Sequence, residues 1–181
     1  MIESEYLPKA NMSEVEKREK YGCVMRAIES FYGAKATDEE WKMRLDDVIL
    51  KTETAGKYAS LVVPKFVYLA QKNLLERDFD DVRNFIMLLS LSNTPLGLSI
   101  GKTQSLYSKK TASEVLRTLT LGNDIMVMYG IKIENDPKFK YLGHMAHLMY
   151  APNRDRVISL SDGHISIPLN PETIYRVIER V

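Results

Sequence analysis

Helix-start chemistry recurs along this chain until about Tyr150, and beyond Val157 the apolar residues fall into a period of two. Ser13-Glu14-Val15-Glu16 is a capping box, in which each polar side chain satisfies an orphan amide of the other's turn. It predicts a helix to about Tyr32, with Val24, Ile28 and Phe31 on one face and Gly33 closing it. Thr37-Asp38-Glu39-Glu40 repeats the box and opens a helix to about Lys51, turning Trp41, Leu45, Val48 and Ile49 inward. Pro64 inside an apolar stretch suits a first helical turn, so a helix is expected over 63–77. Asp78 caps the next, over 79–91, burying Val82, Phe85, Ile86 and Leu89. A loop follows around Ser92 to Gly97, and Thr111 or Ser113 then caps a helix carrying Val115, Leu116 and Leu119. The apolar run from Ile125 to Met128 fits helix or buried strand equally. Asp136-Pro137 pairs a cap with a proline at the first helical position and opens a helix over 137–150.

Beyond it, Val157-Ile158-Ser159-Leu160 and Ile165-Ser166-Ile167 flank Ser161-Asp162-Gly163-His164, a hairpin signal. Pro168 marks an edge strand. Pro171-Glu172 opens a short last helix with Ile174, Tyr175 and Ile178. The expected fold is mainly α: a single-domain bundle of about six to eight helices over 1–181, with one late hairpin around 157–167 and a short C-terminal helix.

The chain has 181 residues, 45% of them apolar, with ten tyrosines, enough for a real core. Its 25 basic and 24 acidic residues give a net charge of +1, which excludes a histone-like composition. The sum hides a segregation. Residues 1–81 hold 13 Lys/Arg against 16 Asp/Glu, and residues 82–181 hold 12 against 8. A subdivision into an acidic half, 1–92, and a basic half, 93–181, suits head-to-tail self-association or a basic face turned to a polyanion. A single cysteine, Cys23, excludes an intramolecular disulfide and reads as a buried core thiol rather than a nucleophile. The acidic start Met1-Ile2-Glu3-Ser4-Glu5 lacks the order of a signal peptide, and no apolar run is long enough for a membrane span. A cytoplasmic or otherwise intracellular protein, or a virion-associated one, is expected.

A window from Val82 to Ser113, which spans the boundary between these halves, has no acidic side chain. It holds Arg83, Lys102, Lys109 and Lys110, the glycines Gly97 and Gly101, and hydroxyls including Ser99, Thr103, Ser105 and Ser108. Glycine-freed amides, hydroxyls and lysines together suit a phosphate-bearing partner. Gly97-Leu98-Ser99-Ile100-Gly101-Lys102-Thr103 resembles a Walker A loop, but has three residues between its glycines where the motif needs four. His144 and His147 sit at a metal-compatible spacing, with His164 the only other histidine. No HExxH-like general base accompanies them, so no metal is expected. A helix over 137–150 followed by the hairpin resembles the end of a winged helix, with Lys138, Lys140, Arg154 and Arg156 placed for DNA contacts. No Gly-x-Ser-x-Gly elbow occurs, and Asp46-Asp47 and Asp80-Asp81 read as solvated charge.

These residues predict a non-enzymatic, homo-oligomeric assembly protein of the capsid, nucleocapsid or ribonucleoprotein-subunit kind, with no cofactor. Arg83, Lys102, Thr103, Lys109, Lys110 and Arg117 would contact nucleic-acid phosphates. The alternatives are a winged-helix-like DNA-binding regulator, and a matrix-like or adaptor module whose basic window meets a protein partner or anionic surface.

Overall fold

The computed structural model describes residues 12–46, 83, 86–87, 89–132 and 141–181. The helices expected over 63–77 and over most of 79–91 lie outside the described residues, as do Val48, Ile49, Val82, Phe85, Lys138 and Lys140.

The chain divides into two compact units, one of residues 1–22, 38–84 and 130–143, the other of 23–37, 85–129 and 144–181. The first holds α1 (Glu14–Tyr21), capped as expected by the Ser13 hydroxyl, which accepts from Glu16 N–H at 3.2 Å. Arg18 lies 4.9 Å over the Trp41 ring and pairs with Asp38 at 3.1 Å. Trp41 and Leu45, in the helical stretch 38–46, are buried as expected. Gly22 ends α1, so the first predicted helix is two. A Cβ at Gly22 would stand 2.1 Å from the Arg18 carbonyl oxygen and 2.7 Å from the Trp41 ring.

The second unit begins with α2 (Cys23–Tyr32), which buries Val24, Met25, Ala27, Ile28 and Phe31 and ends at Gly33 in the left-handed conformation, φ 66°. Then come α3 (Pro95–Lys102), β1 (Ser105–Thr111), α4 (Ala112–Thr120), β2 (Ile125–Lys132), β3 (Tyr141–Ala151), β4 (Arg156–Ser159), a 3-10 turn (Leu160–Asp162), β5 (Ile165–Ser166) and β6 (Ile174–Arg180). The strands form one six-stranded sheet in the order β1-β6-β2-β3-β4-β5. The fold is therefore mixed α/β rather than the expected mainly helical bundle.

β1 falls in the hydroxyl-rich window, where no strand is expected. It is an edge strand, and an edge tolerates Ser, Lys and Thr where a central strand would not. The open segment from Ile125 is a strand. The helix expected over 137–150 is β3 wherever it is described, because Met145, Ala146, His147 and Leu148 are all buried. A strand covered on both faces shows no alternation, and its apolar residues matched a helical spacing by accident. The last helix is β6, inserted between β1 and β2. There Tyr175 and Val177 turn to one face and Ile178 to the other. The late hairpin is present, with Ile158 opposite Ser166, but a 3-10 turn makes its connection longer than a two-residue turn.

One core lies between α4 and the sheet: Ala112, Val115 and Leu119 meet Ile125, Val127, Ala146, Leu148, Val157, Tyr175 and Val177. Thr111 and Glu114 form a full capping box at the start of α4, which fixes where the helix leaves β1. By strand alternation Arg180 shares the face of Ile178, and there its guanidinium lies 3.8 Å over the Phe31 ring of α2.

Candidate functional site

Cys23 is the first residue of α2 and is half-buried, not the fully buried core thiol its surroundings suggested. The first amides of a helix have no intrahelical acceptors, and the helix dipole is positive there; both favour a thiolate. The Cys23 side chain is hydrogen-bonded to His144, near the start of β3. The Nε2 of the same imidazole lies 2.8 Å from Oδ2 of Asp162. One ring thus joins a thiol to a carboxylate.

Asp162 is in turn held firmly. The Ser159 hydroxyl donates to its Oδ2 at 2.6 Å, and Arg26 Nη2 stands 3.9 Å from Oδ1. Local chain geometry sets this up: Asp162 closes the 3-10 turn, and Gly163 and His164 then take left-handed conformations, φ 71° and 61°. His164 N–H donates back to the Ser159 carbonyl at 2.9 Å, which locks the connection. Burial alone would push the His144 imidazole down; its hydrogen bonds to Asp162 and Cys23, and the charges of both, raise it instead to about 9. Burial also pushes Asp162 up, and His144, Ser159 and Arg26 together outweigh that, so it stays ionised below the usual carboxylate range. The Tyr129 ring packs edge-on to His144 at 5.7 Å; burial first, then the nearby Asp162 charge, keep its phenol protonated.

His147 belongs to a different cluster. Its Nδ1 is 2.7 Å from the Ser30 hydroxyl and its Nε2 is 2.5 Å from Asp124 Oδ2. Asp124 Oδ1 meets Arg180 at 2.5 Å, and the Arg180 guanidinium also bonds the Phe31 carbonyl. Burial lowers the His147 imidazole, Asp124 does not compensate, and the Arg180 charge lowers it further. The two histidines are therefore driven in opposite directions, His144 toward imidazolium and His147 toward the neutral ring. The Ser30–His147–Asp124–Arg180 chain is closed and charge-balanced, and it ties α2 to the sheet. His164 is exposed and apart from both. Among the described residues, no group of three His, Cys, Asp or Glu side chains could hold a metal ion.

The residues expected from the sequence lie elsewhere. Gly97 and Gly101 are on α3, not in a loop. A Cβ at Gly97 would stand 1.9 Å from the Leu89 carbonyl oxygen, and one at Gly101 would stand 3.1 Å from that of Ser90. Thr94 caps α3, accepting from Gly97 N–H at 3.0 Å, and Thr103 ends it, its hydroxyl donating to the Ser99 carbonyl at 2.9 Å. Ser99 donates to the Tyr32 carbonyl, and Ser105 is bonded to the Tyr32 hydroxyl. Lys110 pairs with Glu179 at 3.2 Å. Lys102, Lys109 and Arg117 are exposed, and Arg83 is an exposed helical residue of the other unit. Arg154 and Arg156 are exposed beside the hairpin, where Arg156 donates to the Ser166 hydroxyl and the Arg154 carbonyl. The helix meant to read DNA beside them is β3 in its described part.

Sequence reasoning noted Cys23, His144 and Asp162 separately and joined none of them. The usable signal was a single cysteine in a chain with only three histidines; that Cys23 starts a helix is visible only in the structure, where Gly22 ends α1. Compared with known proteins, the chain matches no family model, no curated protein and no solved structure. No helix among the described residues is long and apolar enough to cross a membrane.

Proposed function

We propose that the chain is a thiol-dependent acyl-transfer enzyme, a hydrolase of amide, ester or thioester bonds, with Cys23 as nucleophile, His144 as acid and base, and Asp162 as the group that orients the ring. This departs from the non-enzymatic assembly role that the charge pattern suggested. The observation that carries it is the single imidazole holding both the thiol and a doubly anchored carboxylate. In that arrangement His144 keeps the thiol proton while Cys23 stands as thiolate. The sulfur attacks a carbonyl carbon, the S–C bond forms, and the tetrahedral oxyanion meets the amides at the start of α2. Collapse breaks the bond to the leaving group, which takes its proton from His144. Neutral His144 then deprotonates water, which cleaves the thioester and restores the ion pair.

The test is to mix the protein with p-nitrophenyl acetate and follow intact mass and nitrophenol release. An acetyl adduct on Cys23, absent in Cys23→Ala, is expected. Release should fall by about 10²- to 10⁴-fold in His144→Ala, the usual worth of a positioned acid–base group. Equal release by all three proteins sinks the reading.

Nucleic-acid contact remains a separate proposal. It rests on the exposed cations Lys102, Lys109 and Arg117, since the window's glycines and several of its hydroxyls are occupied within the fold.

A further inference from the structure

We propose that Ser30 is the nucleophile of a second hydrolytic site, with His147 as its base and Asp124 as the residue that positions the ring, acting on an uncharged carboxylic ester. Its relay shares no residue with the thiol relay and does not rest on it. Ser30 lies two turns beyond Cys23 on α2, roughly 10 Å further along the axis.

Three distant pieces of chain meet here. Gly122, left-handed at φ 90°, turns the chain after α4 so that Asp124 stands just before β2. Arg180, the last residue of β6, holds Asp124 Oδ1 at 2.5 Å. His147 on β3 is fixed twice over: its amide donates to the Ser161 hydroxyl at 3.0 Å, and its ring packs edge-on to Phe31 with centroids 5.5 Å apart. The hydrogen-bond order then follows from donor chemistry. A carboxylate paired with a guanidinium can only accept. In the neutral ring the hydrogen therefore sits on Nε2, 2.5 Å from Asp124 Oδ2. Nδ1 is left bare, so the Ser30 hydroxyl, 2.7 Å away, is its donor. A serine proton aimed at a bare, oriented imidazole nitrogen is the resting state of general-base attack.

Ser30 is half-buried and lines a cavity of about 400 Å³, a size typical of small-ligand sites. The charges around that cavity cancel. Arg26 and Lys35 stand against Glu29 on the lining, and Arg26 faces the Asp162 carboxylate at 3.9 Å. An uncharged ester suits such a balance better than an ion of either sign. Leu160 gives the lining an apolar side, and Gly33 leaves open space where a Cβ would stand. As Ser30 Oγ bonds to the carbonyl carbon, its proton passes to His147 Nδ1, and the exposed Lys35 ammonium meets the oxyanion. Collapse breaks the ester C–O bond, and the departing alcohol takes that proton. Nδ1 then deprotonates water, which cleaves the acyl-serine and restores Ser30.

The experiment treats full-length Cys23→Ala protein with diisopropyl fluorophosphate, an uncharged probe, and locates the adduct by intact mass and peptide mapping. Phosphorus stands in for the carbonyl carbon: the Ser30 O–P bond forms and fluoride leaves. One adduct is expected, on Ser30, absent from Ser30→Ala and from the same protein unfolded in urea. Asp124→Asn tests the relay. Arg180 should keep the new amide's oxygen, which turns its NH2 toward His147 Nε2, moves the ring hydrogen to Nδ1 and leaves Ser30 without an acceptor. The maximal labelling rate should fall by about 10²- to 10⁴-fold at an unchanged half-saturating concentration, a split that a purely structural role would not give. No adduct on Ser30, labelling there in the unfolded chain at the same rate, or equal rates with and without Asp124→Asn overturns the proposal. The Ser30 adduct is read with the relay intact, so it decides the matter even where Asp124→Asn fails to fold. Alkylation of Cys23 in the wild-type protein reads the thiol centre separately, and either centre can fail alone.

Discussion

His144 Nε2 and Asp162 Oδ2 stand 2.8 Å apart, and this contact sets the orientation of the ring that also bonds Cys23. Remove the carboxylate charge and the imidazole loses the partner that offsets its burial. Asp162→Asn is therefore expected to lower the His144 titration from about 9 by at least one unit, followed by NMR of the ring protons. Ser159→Ala, which removes only the hydroxyl anchoring Asp162, should lower it less. An unchanged titration in Asp162→Asn would remove Asp162 from the relay.

His147 makes an opposite prediction, about folding. Its folded pKa is depressed, so the unfolded chain takes up a proton near pH 6.5 while the folded one stays neutral. The stability this ring contributes is present above that pH and lost as pH falls below it. Asp124 and Asp162, also depressed, add losses once pH drops below about 3.8. Urea melts should therefore show stability falling from pH 6.5 to 5, with a smaller slope in His147→Phe. An equal slope in both proteins contradicts a neutral His147.

Gly97 tests whether the glycines of the basic window serve packing. A methyl there would collide with the Leu89 carbonyl oxygen and the Ser92 hydroxyl, at 1.9 and 2.1 Å. Gly97→Ala should destabilise the protein by about 1–3 kcal/mol, the range for overpacking, whereas Gly101→Ala, with 3.1 Å of room, should cost much less. Equal and negligible costs in thermal melts would return these glycines to some role outside the fold.

The exposed cations have their own experiment. If Lys102, Lys109 and Arg117 neutralise phosphates, the affinity for single-stranded nucleic acid falls steeply with salt. The triple change to Ala should flatten that slope by up to about 0.7 for each phosphate no longer neutralised. Lys110→Ala alone is expected to cost no more than about 1 kcal/mol in stability, since its pairing with Glu179 is partly exposed. Salt-independent binding, or none, ends the nucleic-acid proposal.

What was legible in the sequence was local. The caps at Ser13 and Thr111, the Gly33 stop and the hairpin around Ile158 and Ile165 all rest on neighbouring residues and are present. What was not legible depends on neighbours distant in sequence. β3 and β6 are covered on both faces, which erases the period of two, and β1 is polar because it lies at an edge. The reactive centre was hidden for the same reason: it draws on α2, β3 and the turn after β4, and no spacing rule connects Cys23 to His144 or His144 to Asp162.

The most direct test of the account is the pH dependence of Cys23 alkylation by iodoacetamide. A thiolate held by His144 reacts at a nearly constant rate from about pH 6 upward, with a change near 9 where the imidazolium loses its proton. His144→Ala should replace that plateau with a single rise centred near 8.5, the ordinary thiol value. A wild-type profile that already rises near 8.5 and is unaltered by His144→Ala would contradict the central claim.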